Sequence, residues 1–435
     1  MTNRSRLTDY LSLADIAGVL RDGKVTPSEL VASLCRRIEL HDEEILSLLP
    51  EPGRRARLEH EAAELERRYP DVESRPALFG VPVGVKDIFR VDGFDTRAGS
   101  ALPAELFSGP EAACVTRLRR AGALIVGKTA TAEFAYREPP ATRNPRALGH
   151  TPGGSSSGSA AAVAAGFAAL ALGSQTIGSV IRPAAFCGIV GFKPSLGRIS
   201  TQGMLPFSHS VDHVGLFSQD VAGMRLAATE LLDAAQSAQS VRTLRVVGVP
   251  EGAYLDQVEP ASRAAFEKQL GALQARGLEI RRVPCFGDVG ALAARHDALI
   301  LRELAQVHDE WFARYGALYR PFTAARIRMG RGISEADYSL GLKSASELRA
   351  ALHDAMDAHG IEVWASPAAL GPAPESQAST GEPAMNLPWT HAGLPTLTLP
   401  SGSSTAGLPL GLQLSARFDA DEELLAWAEQ MEALL

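Results

Sequence analysis

TPGGSSSGSAAAVAAGFAALAL, residues 151–172, joins two textures that seldom meet. Gly153, Gly154 and the serines at 155, 156, 157 and 159 have the composition of a flexible spacer. From Ala160 to Leu172 the chain is apolar, 13 residues that are too few to cross a bilayer and read as a core helix. A spacer has no reason to be pinned to a buried segment, so the loop reads as a working part. A phosphate-cradling loop needs lysine after its last glycine, and Gly158 is followed by Ser159. Two catalytic readings are left. In the first, Gly154-Ser155-Ser156-Ser157-Gly158 is a GxSxG nucleophile elbow centred on Ser156, with His391 as its downstream histidine. That motif wants a strand directly before the serine, whereas PPATRNPRALGHTPGG reads as loop. In the second, the base is a lysine. Lys86 ends the apolar run GVPVGVKD, Ser155 lies in the glycine-serine loop, and Ser179 lies 24 positions further on in LGSQTIGSVIRPAAFCG (172–188).

Around these loops the chain alternates helix and strand. Residues 9–40 and 54–68 read as helices, the former with a start signal in Thr26-Pro27-Ser28-Glu29: a cap, a proline at the first position and a glutamate three residues after the cap. LFGVPVGV (78–85) is a β-type run. CVTRLRRAG (114–122) is a helix stopped by Gly122, and ALIVGK (123–128) a strand after it. Repeated helix and strand argue an α/β sheet with helices on its faces. DAAQSAQS (233–240) reads as a loop inside one domain, 286–360 as mostly helical, and ASPAALGPAPESQAST (365–380) as a long functional loop. Residues 1–435 are expected to form a single domain, the helices of about 1–70 packing on a catalytic core.

Composition narrows the function. The 435 residues are 46% hydrophobic and 21% charged, as in ordinary globular proteins. The net charge of −7, without a basic block, excludes an electrostatic footprint for nucleic acid or an anionic membrane. Cys35, Cys114, Cys187 and Cys285 are scattered, with no metal-site spacing, so reduced thiols, no metal and no cofactor are expected. The N-terminal segment has no apolar run of the secretory type, and a cytoplasmic location is expected.

LFGVPVGVKDIFRVDGFDTRAGS, HTPGGSSSGSAAAVAAG, LGSQTIGSVIRPAAFCGIVGFKPSLGRIS and AGLPTLTLPSG, in that order, resemble the amidase signature family. The resemblance runs from about residue 10 to the C-terminus. It implies an α/β/α fold around a central mixed, mostly parallel sheet, and a Ser–Ser–Lys triad: Ser179 as nucleophile, Ser155 as bridge with a cis peptide, Lys86 as base. It also implies that backbone N–H groups of Thr176, Ile177, Gly178 and Ser179 form the oxyanion hole. Ile177 stands where glycine is commoner, and Gln175 where aspartate is common. Burial is what would lower the lysine pKa enough for general-base work.

Arg182, three residues after Ser179, is read either as a clamp for a substrate carboxylate or as a support for loop carbonyls. Tyr136, Gln175, Arg137 and His150 are further candidates for the pocket, while Trp389 and Met385 read as core. The function expected is an amidase releasing ammonia or an amine from a small amide. The alternatives are an esterase, carbamate hydrolase or acyl transferase on the same triad, or one component of a tRNA-dependent amidotransferase. The sequence leaves a homodimer open.

Overall fold

The computed structural model describes residues 12–233 and 242–435. The stretch 233–240 therefore lies, apart from Asp233, outside the described residues. The first helices form as their caps dictate. Helix Pro27–Ile45 opens on Thr26, whose hydroxyl accepts from the Glu29 N–H while the Glu29 carboxylate accepts from the Thr26 N–H. Helix Arg54–Arg68 is mostly solvated and buries only Leu58 and Ala62.

Ten strands form one sheet: β1 (Pro82–Lys86), β2 (Leu124–Thr129), β3 (Leu170–Gln175), β4 (Val190–Lys193), β5 (His213–Ser218), β6 (Val246–Glu251), β7 (Glu279–Pro284), β8 (Val363–Pro367), β9 (Thr396–Ser403) and β10 (Pro409–Ser415). Their order is β2-β1-β3-β5-β4-β9-β10-β8-β6-β7. The sheet is mixed. It is parallel at its two ends, where β1 pairs with β2 and β3 and β6 pairs with β7 and β8. It is antiparallel through the middle, from β3–β5 across β4 and β9 to β10–β8. The parallel share is thus smaller than the family resemblance implies.

Strand alternation sends side chains to two helical layers. On β5, Phe217 packs with Ala160, Val163 and Val180, from the glycine-serine helix and the Ser179 turn. Its neighbour Leu216 joins the other cluster, with Met224 and Ala227 of helix Val221–Leu231. The N-terminal helices attach at the β2 end, where Val31, Cys35, Leu58, Ala62 and Leu124 pack together. Cys35, Cys114 and Cys187 are buried free thiols, and Cys285 is a half-buried one. Among the described residues no helix is long and apolar enough to cross a membrane.

The expected core helix over 160–172 is instead a helix, Ser157–Ala164, followed by β3 from Leu170. Gly166 has φ +72°, the left-handed conformation that ends a helix, and it releases the chain into the sheet. An unbroken apolar run carries no period from which to tell a buried helix from a buried strand, and here it is both.

Candidate active site

β1 and β3 run side by side and in parallel, so their C-terminal ends open on one edge of the sheet, where α/β folds hold their ligands. Lys86 is the last residue of β1 and is fully buried. Its Nζ lies 2.8 Å from Ser155 Oγ, 3.0 Å from Ser156 Oγ and 2.8 Å from Ser174 Oγ. Asp87 does not hold it: that carboxylate pairs with Lys128 at 2.7 Å. Surrounded by hydroxyls alone, Lys86 is pushed well below the ordinary lysine range by burial, against a weaker opposing pull from Asp212. Unprotonated, it has two N–H groups and one lone pair to share among the three hydroxyls. Ser156 donates its own hydrogen to the Ser174 carbonyl at 3.3 Å, so it accepts from Lys86. The second N–H and the lone pair are left for Ser155 and Ser174.

Ser155 and Ser156 enter the site at the start of helix Ser157–Ala164, and the Gly154–Ser155 peptide is cis. Gly173 on β3 lets them in: a Cβ there would stand 2.9 Å from Ser156 Oγ and 2.5 Å from the Phe217 ring. The elbow reading does not assemble. His391 spends its two ring nitrogens on His296 and Ser344, and the chain before Ser156 is loop.

Ser179 lies in the turn between β3 and helix Ile181–Cys187, 8% exposed, on a recess it shares with Ala135, Tyr136, Arg137, Ile177, Arg182 and Phe207. The turn is unusual in what it leaves open. No group among the described residues accepts a hydrogen bond from the backbone N–H of Ile177, Gly178 or Ser179. The next two, Val180 and Ile181, both donate to Gln175 Oε1, at 2.8 and 3.0 Å. Gln175 also donates from Nε2 to Thr390 Oγ1 at 2.9 Å. Its amide is spent on capping this turn, and it does not line the recess.

Arg182 is 3% exposed. One nitrogen, Nη2, donates to the Gly154 carbonyl at 2.7 Å and to Thr380 Oγ1 at 3.3 Å. Its Nε and Nη1 are buried without a partner. Burial, with Arg137 adding to it, lowers this guanidinium to about 9, which keeps it charged at neutral pH. The bond to the Gly154 carbonyl fits the reading of Arg182 as a support for loop carbonyls. Arg137 pairs with Glu382 at 3.3 Å across the mouth. His150 is not on the recess, and Trp389 and Met385 are core, as read. Ser174, Asp212 and Thr390 escaped the sequence reading. Asp212 accepts from Thr176 Oγ1 at 2.6 Å and from the N–H groups of Phe207 and Ser208, and burial raises it to about 6. A hydroxyl directly after the apolar run Leu170–Gly173 of β3 was the one available signal for Ser174. Among the described residues no group of three or more side chains could hold a metal ion.

Comparison with known proteins follows the same loops. Residues 29–425 match the Amidase family. The glutamyl-tRNA(Gln) amidotransferase A-subunit of Roseiflexus sp. (strain RS-1) is 32% identical over 468 residues, covering 96% of this chain and 95% of the relative. A solved structure described as an amidase is 31% identical with a TM-score of 0.88, over 98% of this chain and all of the other. The native peptide amidase from Stenotrophomonas maltophilia is 26% identical with a TM-score of 0.84, over 98% of this chain and 97% of its own. A match that takes in both serine loops, the lysine strand and nearly the whole sheet is a family relationship: the chain belongs to the amidase family.

Proposed function

We propose that this protein hydrolyses a small amide through an acyl-enzyme on Ser179. The observation that carries this reading is the placing of a fully desolvated lysine 2.8 Å from Ser155 beside a turn whose consecutive N–H groups are unfilled. Ser155 turns its hydrogen into the Lys86 lone pair, which puts the second Lys86 N–H on Ser174. As Ser179 attacks the amide carbon, its proton passes to Ser155 and that of Ser155 to Lys86. The tetrahedral oxyanion takes the N–H groups of Ile177, Gly178 and Ser179. The same path run backwards protonates the leaving nitrogen, and water then releases the acid from Ser179. A desolvated lysine suits this task because burial favours the unprotonated form that can take the proton.

The substrate we propose carries a carboxylate a few bonds from its amide. Arg182 supports this with two buried donors that nothing fills, on the recess that holds Ser179. The single sheet drawn from residues 82–415 supports one catalytic unit.

The test is a screen of purified protein against small amides, amide-acids, aryl amides and esters, reading ammonia, amine or acid. Ser179→Ala must abolish turnover, and a fluorophosphonate must label Ser179. The second reading, one component of an amidotransferase, has in its favour the name of the curated relatives that match 96% of the chain. It requires that the chain alone turn over no small amide and gain activity only with its partner proteins and tRNA.

A further inference from the structure

The unfilled N–H groups of the Ser179 turn are held from behind. His296, on helix Val289–Val307, is fully buried with Nε2 3.1 Å from the Thr176 carbonyl. A carbonyl only accepts, so Nε2 carries the hydrogen. Burial and the facing His391 push His296 down to about 3, so it is neutral and accepts at Nδ1. His391 Nδ1, 3.1 Å away, must then donate, and His391 Nε2 accepts from Ser344 Oγ on helix Glu335–Ala358 at 2.7 Å, the shorter of that hydroxyl's two contacts, the other being the Gly341 carbonyl at 2.9 Å. One peptide further, Thr390 Oγ1 donates to the Ile177 carbonyl at 2.7 Å, the shorter of its two carbonyl contacts. Gln175 Nε2 donates to Thr390 Oγ1, so the hydroxyl accepts there and its one hydrogen is left for a carbonyl.

A trans peptide unit is planar, with its N–H and C=O pointing opposite ways. Holding the Thr176 carbonyl therefore aims the Ile177 N–H, and holding the Ile177 carbonyl aims the Gly178 N–H. We propose that His296 and Thr390 are positioning residues for the oxyanion hole, each clamping one of its peptide planes, with His391 and Ser344 fixing the tautomer of His296. The proposal rests on the acyl-enzyme reading above. Neither side chain lines the recess, so the two act on the tetrahedral state and leave ground-state binding alone.

The test is the inactivation of the full chain by a fluorophosphonate, resolved into its maximal rate and half-saturating concentration, with phenylboronic acid as a tetrahedral-adduct probe and melting temperature as a fold check. Thr390→Val is isosteric and removes the hydroxyl, both as donor to the Ile177 carbonyl and as acceptor from Gln175 Nε2, and His296→Leu removes the ring donor. Each should lower the maximal labelling rate and the boronate affinity by about 10- to 100-fold, short of the ~100- to 1000-fold seen on deleting an oxyanion donor itself. Half-saturation should stay within about twofold. Thr390→Ser and His296→Gln, which retain a donor, should recover most of the loss. If His296→Leu does not fold, the Thr390 pair decides alone. Wild-type labelling rate and boronate affinity in Thr390→Val, or a loss that Thr390→Ser shares, overturns the clamp and leaves the acyl-enzyme reading intact. No label on Ser179 in the wild type removes that reading, and the clamp with it.

Discussion

Arg182 offers the sharpest division of one side chain into two jobs. Its Nη2 bond to the Gly154 carbonyl, 2.7 Å long, supports the peptide that carries Ser155 and serves every substrate alike. Its Nε and Nη1, on different edges of the guanidinium, have no partner among the described residues, and in the proposed reading one of them meets the substrate carboxylate. Removing the guanidinium should therefore cost activity on all amides, and cost more on amide-acids. A hydrogen bond to a charged group contributes roughly 1.5–3 kcal/mol, and about 1.4 kcal/mol is tenfold. The extra loss is then roughly 10- to 150-fold in kcat/KM, most of it in KM. The assay compares succinamic acid with butyramide, an acid and a neutral amide of similar length, in wild type and Arg182→Ala. The ratio of the two kcat/KM values is the readout, because the shared loss through Gly154 cancels from it. A ratio unchanged by the mutation, with a lowered melting temperature, would refute the carboxylate assignment and leave Arg182 as a support for the loop.

Ser179→Ala should fold and be inactive, while Ser155→Ala should retain a residue of activity, since a water can replace a proton bridge and cannot replace a nucleophile; the reverse order would undo the assignment. Lys86→Met should change stability with a telling slope. In the unfolded chain this lysine takes a proton as pH falls below about 10.4, and in the fold burial refuses it, so the wild type loses up to ~1.4 kcal/mol per pH unit relative to the mutant. Denaturation at pH 8 and pH 10 should show the mutant gaining on the wild type at the lower pH; an equal difference at both would mean Lys86 is charged in the fold. Thr26→Ala should cost about 1 kcal/mol through the cap of helix Pro27–Ile45, with catalysis untouched.

What could be read from the sequence was local or chemically distinctive. The cap at Thr26, the helix 54–68 and the strand ending at Lys86 each depend on neighbours within a few residues. The glycine and serine loops stood out because small residues and hydroxyls are needed together where backbone must approach backbone. The strand directions did not follow from the chain, since pairing joins segments as distant as Gly191 and Thr398. The same distance hid the supports of the site. His296, Ser344 and Thr390 sit on three helices, and each alone reads as an ordinary helical residue. Gln175 misled in the other direction: its place beside the nucleophile loop suggested substrate contact, and its amide turned out to be filled at both ends.

Two buried cations in one site would ordinarily be a fault, and here burial assigns them opposite duties. Desolvation lowers both groups. Lys86 starts from the lower ordinary value of 10.5, has only hydroxyls around it, and is pushed well below that value, toward the unprotonated form a base needs. Arg182 starts from 12.5 and is lowered only to about 9, so it stays a cation at neutral pH and can receive an anion. The two residue types are therefore not exchangeable. A lysine at 182 would meet the same burial from the lower starting point and hold its proton less firmly. Arg182→Lys should then recover only a minor part of the preference for the amide-acid at neutral pH. Recovery of most of that preference at pH 7 would show that the recess admits enough water to keep an ammonium charged, and the dryness that makes Lys86 a base would be in question with it.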